Sequence, residues 1–204
     1  MHPPSASSGI QVRQLVKVTF VGAHGTGKTT LVNALAERIN SLGLKCSVTP
    51  EVPRIICETA GDITYFRRDN NSLSKQILLL VGQPIYEVAA AAGGMAVLLC
   101  DRAILDHWAY TRYLFMKELE DEQALSPLNN LIAKHCQSYD FIFYVPIEFA
   151  PLDDGTREGD QDFQNAIDAQ IRELLKMYGL TYHTISGTVS ERVAQVMKVL
   201  NLSV

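Results

Sequence analysis

The octapeptide Gly22-Ala23-His24-Gly25-Thr26-Gly27-Lys28-Thr29 constrains this chain more than any other stretch, because it satisfies the pattern GxxxxGK[ST] at every fixed position. Average residue usage puts a chance match in such a chain on the order of one in a hundred. The flanks lower those odds further. Leu15 to Val21 (LVKVTFV) is β-branched and reads as a buried strand, while Leu31, Leu35 and Ile39 recur at helical spacing over Thr29 to Ser41, before Gly43. Glycines between such elements let the backbone curl so that several N–H groups face one anion, and the helix N-terminus adds its positive end. Gly22, Ala23, His24, Gly25, Thr26, Gly27, Lys28, Thr29 and Thr30 are therefore candidate nucleotide-binding residues. Lys28 is placed to neutralise terminal phosphates, and the Thr29 hydroxyl to hold Mg²⁺. His24 occupies a variable position of the loop, where a packing or solvated histidine and a catalytic one are both open readings.

The rest of the chain alternates strand and helix patterns. Leu44 to Thr49 reads as a second strand, and Leu73, Ile77, Leu80 and Val81 mark a helix that Pro84 should interrupt, leaving Gln83 at a kink before a second piece to about Ala92. Met95 to Cys100 is a short apolar strand ending in Asp101. Helices follow from about Ala103 and Ser126, and Phe141 to Val145 gives a fourth strand. A charged loop, Glu148 to Gln161, precedes a helix whose apolar face carries Phe163, Ile167, Ile171, Leu174 and Tyr178. Leu180 to Ile185 reads as a fifth strand, and the last helix opens on Thr188 and Glu191 at capping-box spacing. This alternation predicts a three-layer α/β domain, a five-stranded mainly parallel sheet flanked by helices, over residues 13–204. Residues 1–12, rich in proline and serine, are expected to form a flexible tail.

With 204 residues, 47% hydrophobic and 20% charged, the chain has room for one ordinary domain with a buried core. No apolar run is long enough for a membrane helix, and the first residues lack the apolar core of a secretory signal, so no membrane contact and a cytoplasmic location are the default expectations. A net charge of -4 disfavours coating a nucleic acid, although a local basic site remains compatible with it. Cys46, Cys57, Cys100 and Cys136 lack metal or redox spacing and read as reduced core residues.

A phosphate loop alone fits a GTPase switch, an ATPase motor or a small-molecule kinase. The guanine-reading NKxD motif is missing, and Asp101 stands where a strand-end magnesium acid belongs, but Arg102 follows it in place of a water-activating glutamate. That pair suits phosphoryl transfer: the acid binds Mg²⁺ directly or through water, and the guanidinium grips a phosphate or orients a carboxylate.

From about Val16 to Leu200 these elements resemble the nucleoside and nucleotide kinase branch of the P-loop NTPase fold. The resemblance is to the group that includes bacterial ribosylnicotinamide kinase domains and, more distantly, deoxynucleoside and thymidylate kinases; viral kinases acting on hydroxymethyluracil in DNA belong to the same AAA-type ATP-binding group. It implies ATP and Mg²⁺ as cofactors, with Thr29 and Asp101 on the metal, and a hydroxyl acceptor. Glu51, in Pro50-Glu51-Val52-Pro53-Arg54, would face that acceptor. Asp153-Asp154-Gly155-Thr156-Arg157 resembles a DGxR lid, with Arg157 closing over the phosphates, and Gly187, in Ser186-Gly187-Thr188, would lie against adenine.

Catalytic candidates are thus Lys28, Glu51, Asp101, Arg102, Asp106 and Arg157. Glu51 and Asp106 compete as the base, and a salt bridge to Arg54 is the alternative for Glu51. Arg102, Asp106, Tyr110 and Tyr113 share a helical face that could line the acceptor pocket, and Gln83 could read a base edge. Trp108 reads as core. Three functions stand open: an ATP- and Mg²⁺-dependent kinase acting on a nucleoside, nucleotide or related small molecule; a kinase acting on hydroxymethylated pyrimidine in DNA, with Arg67 and Arg68 as a basic rim; and a nucleotide-dependent switch or assembly ATPase.

Overall fold

A computed structural model describes residues 15–115, 122–150 and 160–202, with side chains of 122–126 left out. The strands are β1 (Val16–Val21), β2 (Cys46–Thr49), β3 (Val97–Asp101), β4 (Phe141–Tyr144) and β5 (His183–Thr184). The helices are α1 (Lys28–Ser41), α2 (Val52–Ala60), α3 (Leu73–Ala91), α4 (Ile104–Phe115), α5 (Glu122–Cys136), α6 (Gln161–Met177) and α7 (Val189–Val199), with a 3₁₀ turn at Arg68–Asn70. All strand pairs are parallel, in the order β2-β3-β1-β4-β5. The central strand β1 sets Val18 between Leu99 of β3 and Phe141 of β4.

Alternation of side chains across β1 and β3 divides the core into two layers. Val18, Phe20, Val97 and Leu99 pack with Leu31, Leu35 and Ile39 of α1 and Val196 of α7. Val21, Leu98 and Cys100 face the opposite layer, where Trp108, Ile132, Ile167 and Ile171 come from α4, α5 and α6. The expected three-layer architecture is thus present. Trp108 lies in the core, fully buried, with its indole N–H donated to Asn129 Oδ1 at 3.0 Å. Cys57, Cys100 and Cys136 are buried as free thiols, and Cys46 is half-buried.

Three elements differ from the sequence pattern. Helix α3 runs unbroken through Pro84. A missing N–H removes one intrahelical bond, whereas Leu79, Leu80, Gln83 and Glu87 anchor the helix on both sides of the proline, so packing overrides the local preference. The fifth strand shrinks to two exposed residues, since it pairs on one side only, with β4. Helix α2 was not expected; it follows the Pro50 bend, with Pro53 in its first turn where no intrahelical N–H is required. No helix among the described residues is long and apolar enough to cross a membrane.

Candidate functional site

Because the five strands of the described residues are all parallel, their carboxyl ends gather at one edge, and the loop after β1 lies there between β3 and β4. Gly22 passes so close to β4 that a Cβ would stand 2.4 Å from the Val145 carbonyl oxygen, and Gly27 turns into α1 at φ 84°, a conformation costly for other residues. Thr26 donates its hydroxyl to the Ala23 carbonyl at 3.0 Å. The Lys28 ammonium reaches back to the carbonyls of Gly22 (2.8 Å) and Ala23 (2.6 Å), so its charge sits inside the curl of the loop.

Side chains from distant elements hold this curl. Asp106 is fully buried and accepts from Gly22 N at 2.9 Å through Oδ1 and from Ala103 N at 2.8 Å through Oδ2, clasping the loop to the start of α4. Burial pushes its carboxyl above the usual aspartate range, with Lys28 and Arg102 pulling back. Asp106 thus stands as a clasp with both oxygens on backbone N–H groups, not as a base open to the acceptor. His24 is buried: its Nδ1 lies 2.8 Å from the Tyr110 hydroxyl, its ring packs on Phe163, and Gln164 donates to its carbonyl at 2.7 Å. The packing reading of His24 describes that placement. On the other flank, Arg192 donates to Thr26 O at 2.8 Å and to Glu148 at 2.7 Å, and Glu148 accepts from Gly187 N at 2.9 Å.

Lys28, Thr29, Thr30, Asp101 and the Gly187–Val189 turn line a cleft of about 700 Å³, a size suited to a small ligand. Asp101 is buried and its Oδ1 makes no hydrogen bond, while the Thr29 hydroxyl lies near enough to the same carboxyl to draw its pKa down. Burial raises the Asp101 pKa, Thr29 lowers it, and Glu51 raises it again. An orphaned carboxylate oxygen beside a hydroxyl suits a hard divalent cation, and Mg²⁺ takes few protein ligands when phosphates complete its shell. Thr29 and Asp101 fit that ion. Among the described residues, no cluster of three or more His, Cys, Asp or Glu offers another metal cage.

Arg102 also lines a second, smaller pocket of about 80 Å³, shared with Glu51, Gln76, His107, Tyr110 and Phe163. Its φ of 102° is rare for a non-glycine residue and costs on the order of 1–3 kcal/mol. Two contacts hold it there: Gln83 Nε2 donates to the Arg102 carbonyl at 3.0 Å, and the guanidinium meets Glu51 Oε1 at 3.2–3.3 Å with both side chains nearly buried. Burial works hardest against the arginine's charge, but Glu51, Tyr110, Asp106 and Asp101 together outweigh it and hold the guanidinium protonated. Arg54 approaches Glu51 Oε2 at 3.5 Å, so the expected salt bridge is present, but secondary to Arg102.

Sequence and structure part company around this pocket. Gln83 is fully buried behind it, donating to Glu87 and Arg102 O and accepting from His107 Nε2, so it cannot read a ligand. Gln76, one heptad earlier, lines the pocket instead. Tyr110 reaches the pocket from α4, whereas Tyr113 packs against Phe163 and lies outside it. His107 takes a place on the wall, and burial, then Arg102, lower its pKa to about 3, leaving a neutral imidazole. Arg67 and Arg68 do stand at the pocket with Arg54. Asp160 caps α6 and accepts from Arg68 at 2.6 Å; Asp153, Asp154 and Arg157 lie outside the described residues. The sequence pattern missed Gln76, His107, Glu148, Gln164 and Arg192. Only Arg192 left a signal, one residue past the capping glutamate at the start of α7.

A family described as an AAA domain matches residues 17–192. No curated protein sequence matches the chain. Among solved structures, NadR protein in complex with NAD and AMP-PNP is similar at a TM-score of 0.69 and 18% identity, over 95% of this chain and 52% of that one. Deoxyadenosine kinase from M. mycoides with bound dATP gives 0.65 and 16%, over 91% and 99%. Thymidylate kinase from Ehrlichia chaffeensis gives 0.61 and 20%, over 91% and 98%. The chain thus spans about half the NadR chain and nearly the whole of the other two. At these identities the shared property is the fold.

Proposed function

This chain belongs to the AAA-domain family, and from that premise we propose that it is an ATP- and Mg²⁺-dependent kinase that moves the γ-phosphoryl group to a hydroxyl of a nucleoside, nucleotide or related small molecule. One observation carries the reading: the phosphate-loop cleft and the Glu51 pocket meet at Arg102, so a phosphate and an acceptor can be presented to one another. A hydrolytic switch has no use for that second pocket. The likeness to a thymidylate kinase and a deoxyadenosine kinase supports the same reading.

Bound ATP with Mg²⁺ supplies the transferable phosphoryl group and much of the neutralising charge. Lys28, now on the loop carbonyls, would meet the terminal phosphates, and Thr29 and Asp101 would hold the metal. Arg102 fixes Glu51 by its Oε1. Glu51 Oε2 takes the hydroxyl proton as the acceptor oxygen bonds to phosphorus and the bond from phosphorus to ADP breaks. Asp106 keeps the loop in register with α4. Arg157 is proposed to close on the phosphates, and Gly187 to lie along the adenine.

A second reading places the acceptor hydroxyl on a hydroxymethylated pyrimidine in DNA. The basic rim of Arg54, Arg67 and Arg68 favours it, because such a rim suits the phosphates flanking an extruded base.

The test is a transfer screen with γ-labelled ATP against nucleosides, nucleotides and duplex DNA containing hydroxymethyluracil. Label in a free nucleoside or nucleotide supports the first reading, and label in polymeric DNA the second. Lys28→Ala should lower either transfer on the order of a thousandfold. Hydrolysis with no labelled acceptor in any arm would overturn both.

A further inference from the structure

Two carbonyls of the phosphate loop are held from outside, each by a side chain of a different helix. Gln164 of α6 donates its amide to His24 O at 2.7 Å, and Arg192 of α7 donates to Thr26 O at 2.8 Å. The two donors are placed in the same way. Each is the fourth residue of its helix, behind a cap in which Asp160 accepts from Phe163 N at 3.0 Å and Thr188 accepts from Glu191 N at 3.3 Å. Side chains on a helix lean towards its N-terminus, so a residue in the first turn reaches back past the cap. Gln164 is fully buried, and Arg192 is 3% exposed. Gln161 donates to Gln164 Oε1 at 2.8 Å, which leaves the amide nitrogen for His24, and Glu148 takes the other arm of the Arg192 guanidinium at 2.7 Å.

We propose that Gln164 and Arg192 are positioning residues for phosphate binding, fixing the 24–25 and 26–27 peptide planes so that the N–H groups of Gly25 and Gly27 face the nucleotide cleft. In a planar trans peptide the N–H points opposite to the carbonyl. A carbonyl held towards α6 or α7 therefore turns the following N–H away from that helix. Both following residues are glycines that line the cleft, with φ of 73° at Gly25 and 84° at Gly27. Left-handed residues at close intervals are how successive N–H groups come to enclose one anion.

Glycine also has the widest conformational range, so these two peptides are the ones most free to turn if nothing restrains them. The outer donors remove that freedom before a phosphate arrives, and a preorganised site gains affinity in that way. Lys28 sets the opposite demand on the same loop, because its ammonium takes the carbonyls of Gly22 and Ala23. The loop thus divides into a half whose carbonyls hold the lysine and a half whose carbonyls are tied back to α6 and α7. Neither Gln164 nor Arg192 lies in the loop's own sequence pattern. This positioning rests on the phosphate-binding part of the proposed function and is independent of the acceptor.

Titration of the isotope-labelled full chain with Mg·ADP, followed at the amide signals of Gly25 and Gly27, separates the two roles. In the wild type both signals should move on saturation. Arg192→Met should raise the Kd for ADP roughly tenfold and abolish the movement at Gly27 while keeping that at Gly25, and Gln164→Met should do the reverse. A merely structural role would loosen both glycines alike in either variant. That outcome, or a Kd within about twofold of wild type in both variants, would overturn the proposal. Should a methionine variant fail to fold, Arg192→Lys and Gln164→Asn take its place. Lysine keeps one donor for Thr26 O and should hold ADP within about threefold, whereas asparagine is one methylene short of His24 O and should show the full loss; equal losses or the opposite ranking would refute the assignment. A wild-type chain that does not bind ADP would overturn this positioning together with the proposed function. A chain that binds ADP with the split pattern, yet labels no acceptor in the transfer screen, would overturn the kinase reading alone.

Discussion

The phosphate-loop cleft and the Glu51 pocket share Arg102, but they are built from different materials. The cleft is built around the backbone of the phosphate loop, with Asp101, Arg102, Phe149 and the Gly187–Val189 turn around it and Lys28, Thr29 and Asp101 as its charged or hydroxyl-bearing side chains at the loop. The pocket is mostly side chain, contributed by the phosphate loop, α2, the 61–72 connection, α3, α4 and α6. A main-chain site tolerates few sequences, because glycine must stand wherever the backbone turns sharply or passes close to another strand. A side-chain site can be rebuilt one residue at a time. Acceptor choice can therefore diverge while phosphate binding stays fixed.

The sharpest way to break this division is to remove the carboxylate proposed as the pocket's proton acceptor. Glu51→Gln should lower kcat by roughly a hundred- to ten-thousandfold while leaving the KM for ATP nearly unchanged. A kcat within a few-fold of wild type would take the base role away from Glu51.

Next in size is the strut behind the pocket wall. Burial by itself would raise the Glu87 carboxyl, but hydrogen bonds from His135, Lys17, Tyr139 and Gln83 outweigh it and hold the pKa at about 2. A depressed carboxyl stabilises the fold above its unfolded pKa, so this contribution is complete above about 4.5 and is lost as the pH falls towards about 2. It is on the order of 3 kcal/mol at neutral pH. Denaturation followed by the fluorescence of Trp108, the single tryptophan, should show that loss. Glu87→Gln should lower neutral stability and flatten the acid limb, and an unchanged acid limb would remove Glu87 from the account.

Asp106 tests the cleft in turn. Asparagine there sets an amide N–H against the N–H of Gly22 or Ala103, a loss of about 2 kcal/mol in stability, and the KM for ATP should rise as the loop loosens. A large fall in kcat with stability unaltered would instead restore Asp106 as a base.

What the sequence made legible follows the same division. Lys28, Thr29 and Asp101 could be grouped from the sequence because their places depend on position within a loop or at a strand end, and the structure sets all three on one cleft. The parallel sheet was readable from alternating patterns. Pro84 misled because its local cost was read without the packing of Leu80 and Gln83, which keeps α3 whole. Gln76 and Gln83 share a helical face, seven residues apart, and nothing in the spacing tells which one meets a ligand. Contact with His107 and Arg102 seals Gln83 away, while Gln76 stays at the pocket. Depth below a surface is a property of the assembled helices.

That distinction supplies the smallest and most specific prediction. Gln76 accepts from the Thr111 hydroxyl at 3.3 Å and donates to Asn71 at 3.1 Å, so its amide is oriented before any ligand arrives. Its replacement by alanine removes one neutral hydrogen-bonding group from the pocket and nothing from the cleft. The KM for the acceptor should rise about tenfold, corresponding to roughly 1.4 kcal/mol, with kcat and the KM for ATP little changed. Gln83→Ala should behave differently, because it unpairs the Arg102 carbonyl, Glu87 and His107 together. Its cost should appear in stability and in kcat through a misplaced Arg102, not in acceptor KM alone. If the two alanine variants gave the same kinetic pattern, the separation of a ligand-facing Gln76 from a structural Gln83 would fail.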